Sequence, residues 1–351
     1  MNADITELRK DPITGRWAII YVDGQRELPK WEPVGADGDT ENCPFCEGHE
    51  DRTSPEIFAY RKEGTYPNTP GWFVRCIPHI RPWLSVRANL DRKGLGLFDM
   101  MHSIGAHEVI IETPHHDCDY HNSSLEQVVR ILSTYRNRIV DLKKDQRLKY
   151  VLIFKNRGKP AGSLHVSHAH SQVIATPVVP IRTIQELHGT LKYFKMKDRC
   201  IFCDIIRQEL KDGVRVVDEN ETFLCLIPYA SRFPYECLIL PKRHRAQFSQ
   251  IEDAELKGLA QLFKRIFNRL HQVLNDPPYN CVLHDAPNTV PQKGAWQTID
   301  QDYHWHFEII PRIMRTAGFE WGSGFHINPI APEKAVQDLR SISLKIDETK
   351  C

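Results

Sequence analysis

The chain repeats itself. Cys43 and Cys46 in CPFC, and Cys200 and Cys203 in CIFC, each open a run that passes through the same order of motifs. HEVIIETPHH, from His107 to His116, lies without a gap on YECLILPKRH, from Tyr235 to His244, so that Glu108 meets Glu236, Ile111 meets Ile239 and His116 meets His244. Each reads as a strand ending in a histidine. Next come serine–glutamate spacings of the helix-capping kind, Ser123 with Glu126 and Ser249 with Glu252. Apolar residues then recur at helical spacing, which predicts long amphipathic helices over about residues 125–142 and 254–274. The strands YVLIFKN and YNCVLHD follow, and each leads through a loop to an alternating histidine strand: HVSHAHSQVIATP in the first copy, HWHFEIIP in the second. This order predicts an α+β fold of two tandem halves, residues 1–180 and 181–351, each an antiparallel sheet covered by one long helix.

Side chains of an extended strand alternate between faces, so His168, His170 and Gln172 share one face while Ser171 and Val173 turn the other way. In the second copy His304, His306 and Glu308 share a face, and Trp305, Phe307 and Ile309 pack on the opposite one.

A net charge of +1 among 351 residues points to neither a nucleic-acid backbone nor an anionic membrane. The opening MNADITELRK carries charges where a signal peptide needs an apolar run, and no stretch has the length of a membrane span, so the chain reads as cytoplasmic. Ten cysteines in a cytosolic chain of this size make a poor disulfide framework, and the paired ones are read first as metal ligands. Zinc prefers a tetrahedron of sulfur and nitrogen. Each half offers two cysteines, the histidine that ends a strand, and the first histidine of its HxH pair. Cys43, Cys46, His116 and His168 form one expected site; Cys200, Cys203, His244 and His304 form the other. His115 is the alternative to His116, which the gapless match to His244 prefers. With all four positions filled by protein, both sites are structural. Iron is an alternative occupant of the second, although two thiolates favour zinc.

If His168 is held by metal, His170 is left on a rigid strand beside Gln172, which suits a nucleophile. Neutral imidazole attacks phosphorus well near pH 7, and the phosphoramidate it forms stays reactive. NRGKPAGS, from Asn156 to Ser163, immediately precedes this strand and offers small residues, backbone N–H groups and the cations Arg157 and Lys159 for binding phosphate. In the second half Glu308 replaces the amide and would repel a phosphate, so that half is expected to be catalytically silent.

These residues resemble the galactose-1-phosphate uridylyltransferase family, a branch of the histidine-triad superfamily. The resemblance runs through LRKDPITGRW, CPFCEG, GAHEVIIETPHH, FKNRG, SHAHSQ, NDPPYN, HWHFEIIPR and GSGFHINPIAPE. It implies a double displacement in which His170 takes a nucleoside monophosphate from a nucleotide sugar and passes it to a second phosphate acceptor. Gln172 and Asn156 bind the transferred phosphoryl group. It also implies a structural metal in each half and a homodimer that shares active-site residues across its interface. Four departures bear on substrate. An arginine-rich segment is replaced by YVDGQRELP, leaving only Arg26. His79 stands in RCIPHIRP where an asparagine is usual, and Arg75 and His79 are carried over as substrate-binding. The loop before HxH is one residue longer, which leaves Ser163 and Ser167 as alternatives for the phosphate-binding serine. GSGFHINP is similar to plant-type nucleotide-sugar phosphorylases and does not imply strict galactose 1-phosphate specificity.

The resulting expectation is a nucleotidyltransferase acting on a UDP-hexose and a hexose 1-phosphate. Its alternatives are a phosphorylase of ADP-glucose or a dinucleoside polyphosphate, with inorganic phosphate as acceptor, and a zinc-stabilised nucleotide-binding module without catalysis.

Overall fold

The computed structural model describes residues 5–23, 28–35, 40–87, 89–288 and 296–344, so Arg26 lies outside the described residues. The first half holds β1 (Thr6–Lys10), β2 (Trp17–Tyr21), β3 (Phe58–Arg61), β4 (Trp72–Pro78), the exposed hairpin β5 (Lys93–Leu95) and β6 (Phe98–Met100), β7 (Ala106–Ile111), α1 (Leu125–Leu142), β8 (Tyr150–Arg157) and β9 (His170–Thr176). A helix, α2 (Ile181–Lys197), leads into α3 (Ile201–Asp212), β10 (Val216–Glu219), β11 (Phe223–Leu226), β12 (Cys237–Pro241), α4 (Asp253–Val273) and β13 (Tyr279–His284). After α5 (Ile299–Asp302) and β14 (His306–Pro311) come α6 (Gly318–Ser323), β15 (His326–Asn328) and α7 (Pro332–Arg340). β15 runs parallel to β2, so the two ends of the chain meet in a small sheet beside the main one.

The two halves do not keep separate sheets. Ten strands form one antiparallel sheet in the order β10-β11-β12-β14-β13-β8-β9-β7-β4-β3. Read inward from either edge the order is the same, with β3 answering β10, β7 answering β12 and β9 answering β14. The seam is β8 against β13, from Tyr279 opposite Arg157 to Leu283 opposite Ile153. Each is the strand its own half would leave as an edge, and pairing satisfies the exposed N–H and C=O rows of both. This is why the expected pair of sheets becomes a single one.

α1 and α4 cover the same face of that sheet and pack on each other. Val128, Ile131, Leu132, Tyr135 and Ile139 of α1 join Leu259, Leu262, Phe263 and Ile266 of α4 in one core, where each large apolar side chain contributes about 1.5–3 kcal/mol by leaving water. From the sheet, Val173 and Ala175 of β9 and Phe307 and Ile309 of β14 point into this core, as the alternation requires. The caps sit later than the sequence spacing suggests. Ser124, rather than Ser123, caps α1 by accepting from the Gln127 N–H at 3.2 Å. Glu252 itself caps α4, in a reciprocal box with Glu255, because Ser249 is taken up in the short turn Phe248–Gln250.

Behind β9 the core is not wholly apolar. Lys155 of β8, 2% exposed, lies 2.5 Å from both Glu112 and Asp119. Glu112 accepts further from the hydroxyls of Tyr120, Tyr135 and Ser171, and Asp119 from Arg157 and Tyr279. Desolvated charge of this kind persists only when every member is paired. Cys118 is disulfide-bonded, an exception to the expectation of a poor disulfide framework. Among the described residues no helix is long and apolar enough to cross a membrane.

Candidate active site and metal centres

The fold brings both expected ligand sets together. Cys43, Cys46, His116 and His168 each aim a sulfur or ring nitrogen into one cluster, and Cys200, Cys203, His244 and His304 do so in the other; within each, all ligand atoms lie within 4.8 Å of one another. Cys43 Sγ and Cys46 Sγ are each 3.6 Å from His168 Nδ1, and Cys46 Sγ is 3.4 Å from His116 Nδ1. In the second cluster Cys203 Sγ lies 3.4 Å from His244 Nδ1 and 3.7 Å from His304 Nδ1. A tetrahedron with Zn–S near 2.3 Å and Zn–N near 2.0–2.1 Å has S···N edges of about 3.6 Å, so the donor sets fit zinc.

The histidine tautomers fit as well. His168 Nε2 donates to the Thr113 carbonyl at 2.7 Å, and His304 Nε2 to the Pro241 carbonyl at 2.9 Å. A carbonyl only accepts, so the ring proton sits on Nε2 and the Nδ1 lone pair faces the sulfurs. His244 does the same through the Asp300 carbonyl at 3.0 Å, and His116 Nε2 pairs with Ser167 Oγ at 3.1 Å. Burial pushes His168 down to about 3, which keeps it neutral and ready to ligate.

His170 begins β9 on the face away from the helices. Its Nδ1 donates to the His168 carbonyl at 2.8 Å, leaving the Nε2 lone pair free, and Phe45 of the CPFC turn stands edge-on at 5.4 Å. Burial lowers its pKa, so the ring is neutral at pH 7. Gln172, two residues on and on the same face, accepts at Oε1 from His107 Nε2 at 2.9 Å. Asn156 of β8 accepts at Oδ1 from Asn280 across the seam at 2.8 Å, and Asn280 also donates to the Ala161 carbonyl at 2.8 Å. Asn280 thereby ties Asn156 to the glycine loop. Gly158 and Gly162 in that loop have φ of +81° and +100°, and a Cβ at Gly158 would lie 2.9 Å from Pro278 Cβ.

The other candidates are placed differently. Arg157 is spent on Asp119 at 2.8 Å and Asp276 at 2.5 Å, which leaves exposed Lys159 as the loop's cation. Arg75 is buried and bonds Glu56 at 3.0 Å and Thr53 at 3.1 Å, two strands away from His170, so its guanidinium is committed to the first half's own packing. His79 stacks flat on His107 with ring centroids 4.0 Å apart. Ser163 donates to the Val166 carbonyl at 2.7 Å within the loop, whereas Ser167 sits at the metal cluster. His107, Trp83 and Asn280 were not singled out from sequence. Only the register of β13 against β8, which sets Asn280 opposite Asn156, could have pointed to one of them.

In the second half the equivalent face is occupied by its own charges. Glu308 is ion-paired to Arg232, and His284 Nε2 lies 3.5 Å away. Although burial opposes ionisation, Arg232 and His284 hold Glu308 well below the usual carboxylate range. His284 also pairs with Glu186 of α2 at 3.0 Å and stacks on His306. Glu186 of α2, His284 of β13 and His306 of β14 make a third cluster with metal-ligating atoms, unforeseen in the sequence.

The arrangement defines a duplicated α+β protein with a Cys2His2 cluster in each half and a neutral imidazole tethered to each HxH strand, His170 beside the amides Gln172 and Asn156 in the first half and His306 beside the ion-paired Glu308 in the second. The family models agree. The N-terminal domain of galactose-1-phosphate uridyl transferase matches residues 4–180 and its C-terminal domain matches residues 186–340. ADP-glucose phosphorylase of Arabidopsis thaliana is 33% identical over 346 residues, covering 96% of this chain and 93% of that protein. Galactose-1-phosphate uridylyltransferase of Thermotoga maritima is 28% identical over 347 residues, covering 97% and 99%. The crystal structure of an A. thaliana ADP-glucose phosphorylase with bound ADP-glucose superposes with a TM-score of 0.79 at 32% identity, over 97% of this chain and all of that one. The chain belongs to the galactose-1-phosphate uridyl transferase family.

Proposed function

We propose that the protein is a nucleotidyltransferase that works through a covalent His170 intermediate. The observation that carries this is the tether of His170 Nδ1 to the His168 carbonyl, which leaves a neutral Nε2 lone pair on the open face. In the first step Nε2 attacks the α-phosphorus of a nucleotide sugar; the N–P bond forms, the P–O bond to the sugar phosphate breaks, and the sugar 1-phosphate leaves with the electron pair. The developing imidazolium charge is steadied through Nδ1–H. In the second step a phosphate oxygen of the acceptor attacks the same phosphorus; the new O–P bond forms, the N–P bond breaks, and its electron pair returns to Nε2, leaving His170 neutral. Gln172 and Asn156 supply N–H donors to the phosphoryl oxygens, and the Gly158–Ser163 loop frames them. Cys43, Cys46, His116 and His168 in one half and Cys200, Cys203, His244 and His304 in the other would hold zinc, which would supply a structural cross-link fixing each HxH strand.

The first reading has a UDP-hexose as donor and a hexose 1-phosphate as acceptor. A second, with ADP-glucose as donor and inorganic phosphate as acceptor, is favoured by the 33% identity to the Arabidopsis ADP-glucose phosphorylase along 96% of the chain. In either case the working unit is a homodimer in the cytoplasm.

Intact mass after brief mixing with UDP-glucose or ADP-glucose tests the proposal. It expects an acid-labile adduct of one nucleoside monophosphate, absent in His170→Ala. The adduct's base chooses the donor, and its discharge by glucose 1-phosphate, galactose 1-phosphate or inorganic phosphate chooses the acceptor. Metal-replete protein that forms no adduct with either donor refutes it.

A further inference from the structure

We infer that His107 is a positioning residue that decides which end of the Gln172 amide faces the reacting phosphate. The inference rests on the nucleotidyl-transfer reading and concerns how that site tells a phosphoryl oxygen from a hydroxyl. The two ends of a glutamine amide have nearly the same shape and opposite polarity, so an isolated Gln172 could present either. Its surroundings leave only one choice.

The choice starts from a backbone group. The Trp83 N–H points at His107 Nδ1 at 3.3 Å. A peptide N–H only donates, so Nδ1 is the accepting nitrogen and carries no proton. Burial, helped by the stacked His79, lowers the ring's pKa against the opposing hydrogen bond to Gln172, so it is neutral at pH 7 and its single proton is on Nε2. That proton faces Gln172 at 2.9 Å, and the bond forms only if the amide presents its oxygen. The NH2 end is therefore turned away from His107, and it has no protein partner among the described residues. On a strand face shared with His170, two unspent N–H donors suit an anionic phosphoryl oxygen; the reversed amide would set an oxygen against it.

The clamp on the His107 ring makes the choice firm. His79 stacks on it at 4.0 Å with planes 10° apart, Trp83 covers it at 4.8 Å, and the His79 N–H bonds the His107 carbonyl at 2.9 Å. The segment from Pro78 to Trp83 thus wraps the ring and supplies the donor that fixes its tautomer. Polarity is handed from a peptide N–H to an imidazole to an amide, without a titrating step.

Two measurements on the metal-replete full chain test this. The first is the tautomer of His107, read from imidazole 15N shifts and assigned by the signal that vanishes in His107→Gln. A proton on Nε2 is expected, and a proton on Nδ1 overturns the inference whether or not the protein transfers nucleotide. The second is the rate of adduct formation in His107 variants. His107→Glu places an acceptor against Gln172 and reverses the amide, lowering the rate by about 10- to 100-fold, the worth of a hydrogen bond to a charged group. His107→Gln offers either end, halving the correct population and costing about twofold. In the Gln172→Ala background the two variants should differ by no more than about twofold, since the effect acts through Gln172. Equal rates for His107→Glu and His107→Gln, or a gap that persists without Gln172, overturn the inference. A wild type that forms no adduct refutes the transfer reading instead, and the tautomer then decides this inference alone.

Discussion

Replacing Lys155 by methionine keeps the length of the side chain and removes its charge from between two buried carboxylates. The two are not left in the same position. Asp119 keeps Arg157 at 2.8 Å and the Tyr279 hydroxyl at 2.9 Å, so it remains compensated. Glu112 keeps only hydroxyl donors, from Tyr120 at 3.0 Å, Tyr135 at 2.8 Å and Ser171, and becomes a buried charge without a cation. Breaking a buried pair on one side costs about 3–5 kcal/mol, and three remaining donors place this case near the lower end, about 3 kcal/mol. With an unfolding entropy scaled to 351 residues, that corresponds to a fall in Tm of about 4 °C. Calorimetry of wild type, Lys155→Met and Lys155→Met with Glu112→Gln reads this. A single variant within about 1 kcal/mol of wild type, or a double variant no more stable than the single, would show that Lys155 does not compensate Glu112 in the folded protein.

Metal analysis of the purified chain should give two ions per chain, with Cys46→Ser losing one and Cys203→Ser the other, and chelation should lower Tm; full metal content in either serine variant contradicts the ligand assignment. Asn280→Ala frees Asn156 and the Ala161 carbonyl, so adduct formation should slow about tenfold, the loss of one charge-assisted contact, while Tm changes little; an unchanged rate would remove Asn156 from the phosphate site. Asp119 and Asp276 are both held well below the carboxylate range: burial works against it, but Lys155 and Arg157 outweigh burial at Asp119, and His271 and Arg157 do so at Asp276. A depressed folded-state pKa gives stability that is present above the unfolded value near 4 and is lost as the pH falls toward the folded one. The urea midpoint should therefore drop steeply below about pH 4, and Arg157→Ala should flatten that drop; parallel curves would mean that Arg157 is not the cause.

Features governed by local periodicity were legible in the sequence. Alternation placed His170 and Gln172 on one face and Val173 on the other, and the matched spacing of the two halves placed eight cysteines and histidines in two clusters. What could not be read depends on partners distant in the chain. The fusion of two sheets into one follows from two edge strands meeting, and no pattern within either strand says which edge it will find. Arg157 and Arg75 look like free cations until Asp119, Asp276 and Glu56 fold against them. The charge of Glu308 alone predicts repulsion of a phosphate, whereas in the fold Arg232 and His284 already pair with it. The helix caps slipped because Ser124 and Glu252 were as able to cap as the residues before them, and a short turn settled the second case.

The seam between β8 and β13 also gives the second half a task apart from the proposed chemistry. A half whose histidine strand carries Glu308 in place of the amide, and which the proposed reaction does not use, would ordinarily be free to decay. Here it closes the open flank of its twin and lends Asn280 to hold the twin's Asn156. Damage along β13 would be felt at His170's neighbours although the proposed reaction takes place in the other half. A screen for lost activity should therefore map sensitive positions well beyond the catalytic strand, along a line that crosses the chain's internal symmetry axis.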